Sequence, residues 1–398
     1  MRHFKDWIAT YGDYASHTEA PPHMHYWAGV SAVAGALGRK VWFDQVFYRW
    51  FPNFYIVFVG PPDIVKKTTT MKIAVDILNG VPGFKEGPGT ATWQALIKEF
   101  KLAEEEVEIA PGVYETLSQI YTAAGELGNF LDPQDTLCMD RLVDLWDGSR
   151  IKKVTKTSGS EEIENPIFNL LGCCTPKWIE SSVPAYMVDG GLLSRIIFLY
   201  GDKRGKRVAL PGFSAPKNIY ETGAKLVEDL TDISTLRGDC TLIPESVRLI
   251  EEQYDKICDD QENNPGSSKL LQRKQVQVIK LAMVLAASQG SIRGRSLFLS
   301  PDVLSEAWEK VEYLATQRAQ VFNNIGKNRD YVRVSGMVAV VDKFGAITMK
   351  ELYREVFHDF PRKEEFKMFI ESANSAGLLV LKRDGQDYMV YSAKMHNV

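Results

Sequence analysis

The stretch that most constrains this chain runs Asn53-Phe-Tyr-Ile-Val-Phe-Val-Gly60-Pro-Pro-Asp-Ile-Val-Lys66-Lys67-Thr68-Thr69-Thr-Met-Lys72. Phe54 to Val59 form an unbroken apolar run rich in β-branched and aromatic residues, the composition of a fully buried strand in a parallel sheet. Gly60-Pro61-Pro62 ends it, and from Met71 to Leu78 the apolar residues recur at helical spacing. Strand, turn, Lys-Thr, helix is the layout of a phosphate-binding P-loop. In such a loop backbone N–H groups and a helix N-terminus face the phosphates, a lysine reaches the terminal ones and a hydroxyl holds Mg²⁺.

Two registers fit G-x-x-x-x-G-K-[ST]. Counted strictly from Gly60, Val65 stands at the last glycine, Lys66 at the lysine and Lys67 at the hydroxyl. With one extra loop residue, Lys67-Thr68 become the working pair, with Thr69 beside them. We prefer the second register, because only it puts a hydroxyl directly after the lysine. Asp63 stands where a loop glycine is usual, and its carboxylate repels phosphate. The competing reading is an ordinary strand–turn–helix with a basic turn.

A length of 398 residues predicts two to three domains. With 45% hydrophobic and 25% charged residues the composition is that of a globular chain. The net charge of −4 means that nucleic-acid binding must come from local basic patches. The five cysteines are odd in number and form no C-x-x-C pair, which predicts a reducing, cytoplasmic setting without structural zinc. No apolar run has the length of a membrane span and the first residues lack a signal-peptide core, so no membrane partner is expected.

Along the chain, Trp27–Leu37 predicts an Ala-rich buried helix, and residues 39–48 a strand or hairpin feeding the Gly60 strand. Residues 80–92 are dense in Gly and Pro and predict a loop, followed by a helix from Thr92. The acidic run Glu104–Glu108 predicts a solvated face or loop. Gln119–Leu131 predicts a second sheet strand ending at Glu126, where a P-loop ATPase carries its Walker B acid; Gly125 stands in place of the usual Asp. Asp140–Trp146 predicts a short amphipathic helix.

Residues 147–166 alternate around a Ser-Gly-Ser turn and predict a β-hairpin. One arm carries Arg150, Lys152, Lys153 and Lys156, the other Glu161, Glu162 and Glu164. Either the arms pair across the strands, or the basic arm tracks DNA phosphates. Residues 167–174 predict a third strand whose polar end, Thr175, suits a γ-phosphate sensor, with Asn169 the second candidate. Gly190-Gly-Leu-Leu-Ser-Arg195 leads into a fourth strand, 196–200. Residues 215–325 are mainly helical. The tail predicts three helices and a hairpin around Asp384-Gly385, a winged helix-turn-helix. Its Arg362, Lys363, Lys367, Lys382 and Arg383 could contact DNA, and its Glu364, Glu365 and Glu371 equally suit a protein-binding role.

In this order, Pro52-Asn53, Glu126-Leu-Gly-Asn-Phe-Leu131, Leu142-Val-Asp-Leu-Trp-Asp-Gly148 and Gly191-Leu-Leu-Ser-Arg195 resemble an AAA+-type P-loop ATPase. The likeness is to the replicative helicase and primase-helicase-like proteins of phages and mobile elements, over roughly residues 20–300. Leu-Leu-Ser-Arg195 also resembles the arginine-finger segment of the minichromosome maintenance helicases. The resemblance implies an α/β P-loop NTPase (AAA+-like) core with a helical lid and a C-terminal winged helix. Its divisions would be an N-terminal helical segment 1–45, a core 46–210, a lid 211–325 and a winged helix 326–398.

It further implies ATP and Mg²⁺ as cofactors. Gly60, Lys66 or Lys67, Thr68, Thr69 and Arg273 would bind nucleotide; Thr68 and Glu126 would serve the metal. Glu126 would orient water, Thr175 would sense the γ-phosphate, and Arg195 would reach a neighbouring subunit's site in a ring, expected to be a hexamer. DNA, expected to be single-stranded, and other replication proteins would be partners. Two other classes fit the residues: a degenerate P-loop scaffold that binds DNA or a replication partner, favoured by Asp63 and Gly125, and another P-loop enzyme such as a packaging motor, a recombination ATPase or a small-molecule kinase.

Overall fold

A computed structural model of the chain describes all residues except 1, 91, 134, 156–158, 184–190, 264–268, 323–328, 385–386 and 394–398. Two compact units result, Met1–Asn323 and Asn324–Val398. Within the first, five parallel strands cross the sheet in the order Ile196–Tyr200, Tyr55–Val59, Pro166–Cys174, Val113–Ala124 and Glu86–Gly87. Glu104–Ala110 pairs antiparallel with Val113–Ala124. The fold is therefore α/β with a parallel central sheet. Tyr55–Val59 is buried at every position because a strand lies on each side of it and packed helices deny it a solvent face.

The chain leaves Tyr55–Val59 for the Glu86 edge of the sheet, and leaves the adjacent Pro166–Cys174 for the opposite, Ile196 edge. Loops that part in this way open a crevice at the carboxyl ends of the strands, the switch point where open α/β sheets bind ligands.

The helix Pro22–Leu37 opens with Pro at its first position and is buried nearly all round. Its glycines permit close approach: a Cβ at Gly29 would lie 2.9 Å from the Tyr11 ring, and one at Gly35 would lie 2.9 Å from the Tyr121 ring. It packs against Trp7–Ala15, Lys67–Asn79, Ile219–Ser234 and Lys269–Gln289 in one continuous core. Trp7–Ala15, within the expected N-terminal helical segment, buries Trp7, Ile8, Tyr11 and Ala15 at helical spacing.

The helices expected to form a lid belong to the same compact unit as the sheet. Pro301–Phe322 runs along the edge strand: Tyr200 N donates to Gln317 Oε1 at 2.8 Å, and Arg318 Nη1 donates to Leu193 O at 2.8 Å. Neither position 45 nor position 210 separates compact units.

The acidic run expected to be a solvated face is the strand Glu104–Ala110, because the turn at Gly112 folds it onto Val113–Ala124. Its carboxylates guard the sheet edge against further pairing. In the second unit, Arg329–Phe344, Met349–Glu355 and Lys363–Ser375 pack on a three-stranded antiparallel sheet of Ala346–Thr348, Asp387–Ser392 and Leu379–Asp384. Met337, Val341, Leu352, Phe360, Phe366, Ile370, Leu379 and Val390 form its core. Among the described residues, no helix is long and apolar enough to cross a membrane.

Candidate active site

The loop after Tyr55–Val59 places its two lysines differently. The helix begins at Lys67, and Lys66 caps it with φ 47°, a left-handed conformation that glycine adopts most easily. Asp63 is also left-handed, at φ 59°. The loop therefore has the backbone shape of a glycine-rich turn built from other residues. Val65 is fully buried: a Cβ added to Gly60 would lie 2.6 Å from its Cγ2, and one added to Gly201 would lie 3.3 Å from its Cγ1. The side chain at the strict-register glycine thus plugs into the core beneath the loop.

Lys67 is only 9% exposed and folds back across the loop. Its Nζ donates to Gly60 O at 2.7 Å and to Pro61 O at 3.1 Å. Lys66 points elsewhere, with Nζ 4.0 Å from Glu19 Oε2. Thr68 and Thr69 are exposed on the first helical turn, whose N-terminus carries no side-chain cap. The first N–H groups of a helix have no intrahelical partner and favour an anion.

Glu126 and Thr175 follow the second and first strands beyond Tyr55–Val59, at the same end of the sheet. Glu126 is exposed. Thr175 caps the helix Pro176–Ser182 by accepting from Trp178 N at 3.2 Å, which leaves its hydroxyl hydrogen for another acceptor. Lys67, Glu126 and Thr68 all act on the buried thiol of Cys173, which desolvation pushes up to about 12. The four side chains therefore share one locality. A Cβ at Gly125 would meet Thr68 Cγ2 at 3.8 Å, ordinary contact, so a side chain at position 125 would stand beside Thr68. Asn169, the second sensor candidate, is buried, and its Oδ1 accepts from Phe54 N at 2.9 Å, a structural role within the sheet.

Arg195 precedes its strand, so it lies at the amino end of the sheet, opposite Gly60. It is 4% exposed. Its Nη1 donates to Gly191 O at 2.8 Å and its Nη2 to Asp147 Oδ2 at 2.7 Å. Arg273 is not brought to Lys67. Burial lowers its pKa, and its charged neighbours are Arg195 and Asp147, since the helix Lys269–Gln289 packs at the amino end, where Gln277 Nε2 meets Ser194 O at 3.4 Å. Sequence reasoning missed Lys280 on the same helix. Fully buried, it donates to Asn53 Oδ1 at 2.8 Å and to Trp146 O at 3.1 Å, and desolvation pushes its pKa well down. Its only sequence signal was a lone lysine in an apolar stretch.

In the 150s hairpin, Ile151–Thr155 pairs with Gly159–Ile163 in a register that sets Lys152 opposite Glu162 and Lys153 opposite Glu161. Arg150 contacts Glu162, and its Nη2 lies 3.6 Å from Glu164. The arms are thus charge-balanced; Lys156 lies outside the described residues. In the second unit Arg362, Lys363, Lys367, Lys382 and Arg383 are exposed, while Glu365 accepts from Arg333 at 2.6 Å. Compared with protein-family models and with curated proteins, the chain matches none of them.

Proposed function

We propose that this chain is an ATP-dependent DNA helicase or translocase that works as a ring in the replication of a phage or mobile element. The observation that carries the reading is Lys67, folded over the carbonyls of Gly60 and Pro61 at an uncapped helix N-terminus, with Thr68, Glu126 and Thr175 at the same end of the sheet. In this reading the α/β unit is an AAA+-like P-loop core and the second unit a winged helix.

When nucleotide enters, Lys67 exchanges two loop carbonyls for β- and γ-phosphate oxygens, a charge-assisted pairing stronger than the one it leaves. Glu126 orients the attacking water, and Thr175 donates its hydroxyl hydrogen to the γ-phosphate. Mg²⁺, where bound, neutralises phosphate charge. One hydroxyl at Thr68 and one carboxylate at Glu126 suit an ion that keeps several waters and shares the phosphates. Arg195 lies at the far end of the sheet from its own loop, so it can serve only a neighbour's phosphates, in trans, and only after leaving Asp147.

The test is ATP hydrolysis with and without single-stranded DNA, beside Lys67→Ala and Glu126→Gln. DNA-stimulated turnover lost in both variants supports the motor. DNA binding without turnover in the wild type favours the second reading, a P-loop scaffold; the left-handed Asp63, a charge-balanced hairpin and an unfilled position 125 support it.

A further inference from the structure

A cavity of about 530 Å³ lies between the helices Trp7–Ala15 and Pro22–Leu37. Ile8, Ala9, Gly12, Ala20, Pro22 and Tyr26 give it a mainly apolar wall, and Lys206 closes its rim. It opens at the carboxyl end of the sheet: Gly205 N donates to Glu19 O at 2.9 Å, and the same Glu19 holds Lys66 of the phosphate loop.

At the amino end, the strands Val41–Asp44 and Arg49–Trp50 form a hairpin whose tip carries exposed apolar side chains. Phe47 is 93% exposed, Val46 is 89% exposed and Tyr48 is also exposed. Val46 adopts φ 63°, a conformation β-branched residues rarely take, so the tip holds its apolar side chains outward at a conformational cost. The base of this hairpin, Tyr48 to Phe51, lines a small cavity together with Asp147, the partner of Arg195.

We propose that the Val46–Phe47–Tyr48 tip of one copy of this chain seats in the cavity beside the phosphate loop of a second copy. Two observations, together with the proposed function, select a second copy. Knob and socket sit at opposite ends of the sheet, as a head-to-tail contact requires; repeated, such a contact closes into a ring or runs on as a filament. The direction from knob to socket is also that from Arg195 to a neighbour's phosphate loop. The charges around the two surfaces are complementary. Asp44, Asp239 and Glu115 outnumber Arg49 and Arg39 at the hairpin, whereas at the cavity Lys206 and Asp13 line the wall and the exposed Lys203, Arg204 and Arg207 flank Lys206 in sequence, against Asp202 and Glu19. An aromatic anchor in an apolar pocket ringed by complementary charge is the usual centre of a binding interface.

The inference names the contact behind the self-association in the proposed function and rests on that reading for the assembly alone. Its test therefore reads mass without nucleotide: unchanged association in Phe47→Ser would sink this contact alone, whereas a monomeric wild type would sink the ring as well. Light scattering across a protein dilution series should give wild-type oligomers. Phe47→Ser, at an exposed position, should weaken association at least tenfold, and Gly12→Trp, which fills the socket from a glycine whose added Cβ meets nothing within 4 Å, should do the same. Mixed Phe47→Cys and Gly12→Cys chains treated with a short bismaleimide should give a cross-linked pair above the wild-type background, and neither chain alone should. A wild type monomeric throughout, association unchanged in Phe47→Ser, or no pair specific to the mixture would overturn the proposal. If Gly12→Trp misfolds, Phe47→Ser and the cross-link decide.

Discussion

Lys66 and Lys67 are adjacent in sequence and opposite in fate. The left-handed turn at Lys66 sends its side chain out to Glu19, and the first helical turn folds Lys67 back over the loop. Lys67→Ala should therefore lower ATP turnover at least a hundredfold while leaving the thermal midpoint within a few degrees, measured by steady-state hydrolysis and calorimetry. Asp63→Gly removes a carboxylate from the loop that the proposed function assigns to phosphate and supplies the residue that its positive φ favours. Tighter ATP binding by roughly fivefold, about 1 kcal/mol, is expected by titration calorimetry. A pH effect belongs to His25, which desolvation, with help from Lys206 and His23, lowers to about 4. With a depressed folded-state pKa the unfolded chain takes the proton first. Stability is thus unaffected above about pH 6.5 and falls as the pH drops from there toward 4. Urea midpoints across that window should fall less steeply for His25→Phe than for the wild type.

The elements that carry the site were legible where one local pattern decided them. Tyr55–Val59 and Pro166–Cys174 are buried on both faces, so an apolar run alone betrayed them, and Glu126 and Thr175 were found as the polar ends of such runs. Glu104–Ala110 was not legible, because an edge strand held by backbone pairing carries no apolar signal when its side chains are carboxylates. The Asp147–Arg195 pair and the buried Lys280 joined residues far apart in sequence, which no local pattern encodes. The 150s hairpin was placed correctly, and its register sets lysines opposite glutamates. If it also tracks DNA, Lys152/Lys153→Ala should reduce DNA stimulation and flatten the salt dependence of single-strand binding by roughly 0.7 per lost phosphate contact; undiminished stimulation would leave the hairpin a purely structural role. In the second unit Thr348 and Glu351 form a reciprocal capping box. Thr348→Ala should cost about 1 kcal/mol in that unit's unfolding, read by urea denaturation of the chain.

At the scale of the molecule, Lys67 stands at one end of the sheet and Arg195 at the other. Under the proposed function a complete site would form only between copies, so mixing tells more than any single variant. The most direct measurement is DNA-stimulated ATP hydrolysis by wild type, Lys67→Ala, Arg195→Ala and an equimolar mixture of the two variants. Each variant alone should be inactive, and the mixture should recover part of the wild-type rate, because some interfaces pair an intact Lys67 with an intact Arg195. Wild-type turnover in Lys67→Ala, or no DNA-stimulated turnover in the wild type itself, would contradict the shared-site reading.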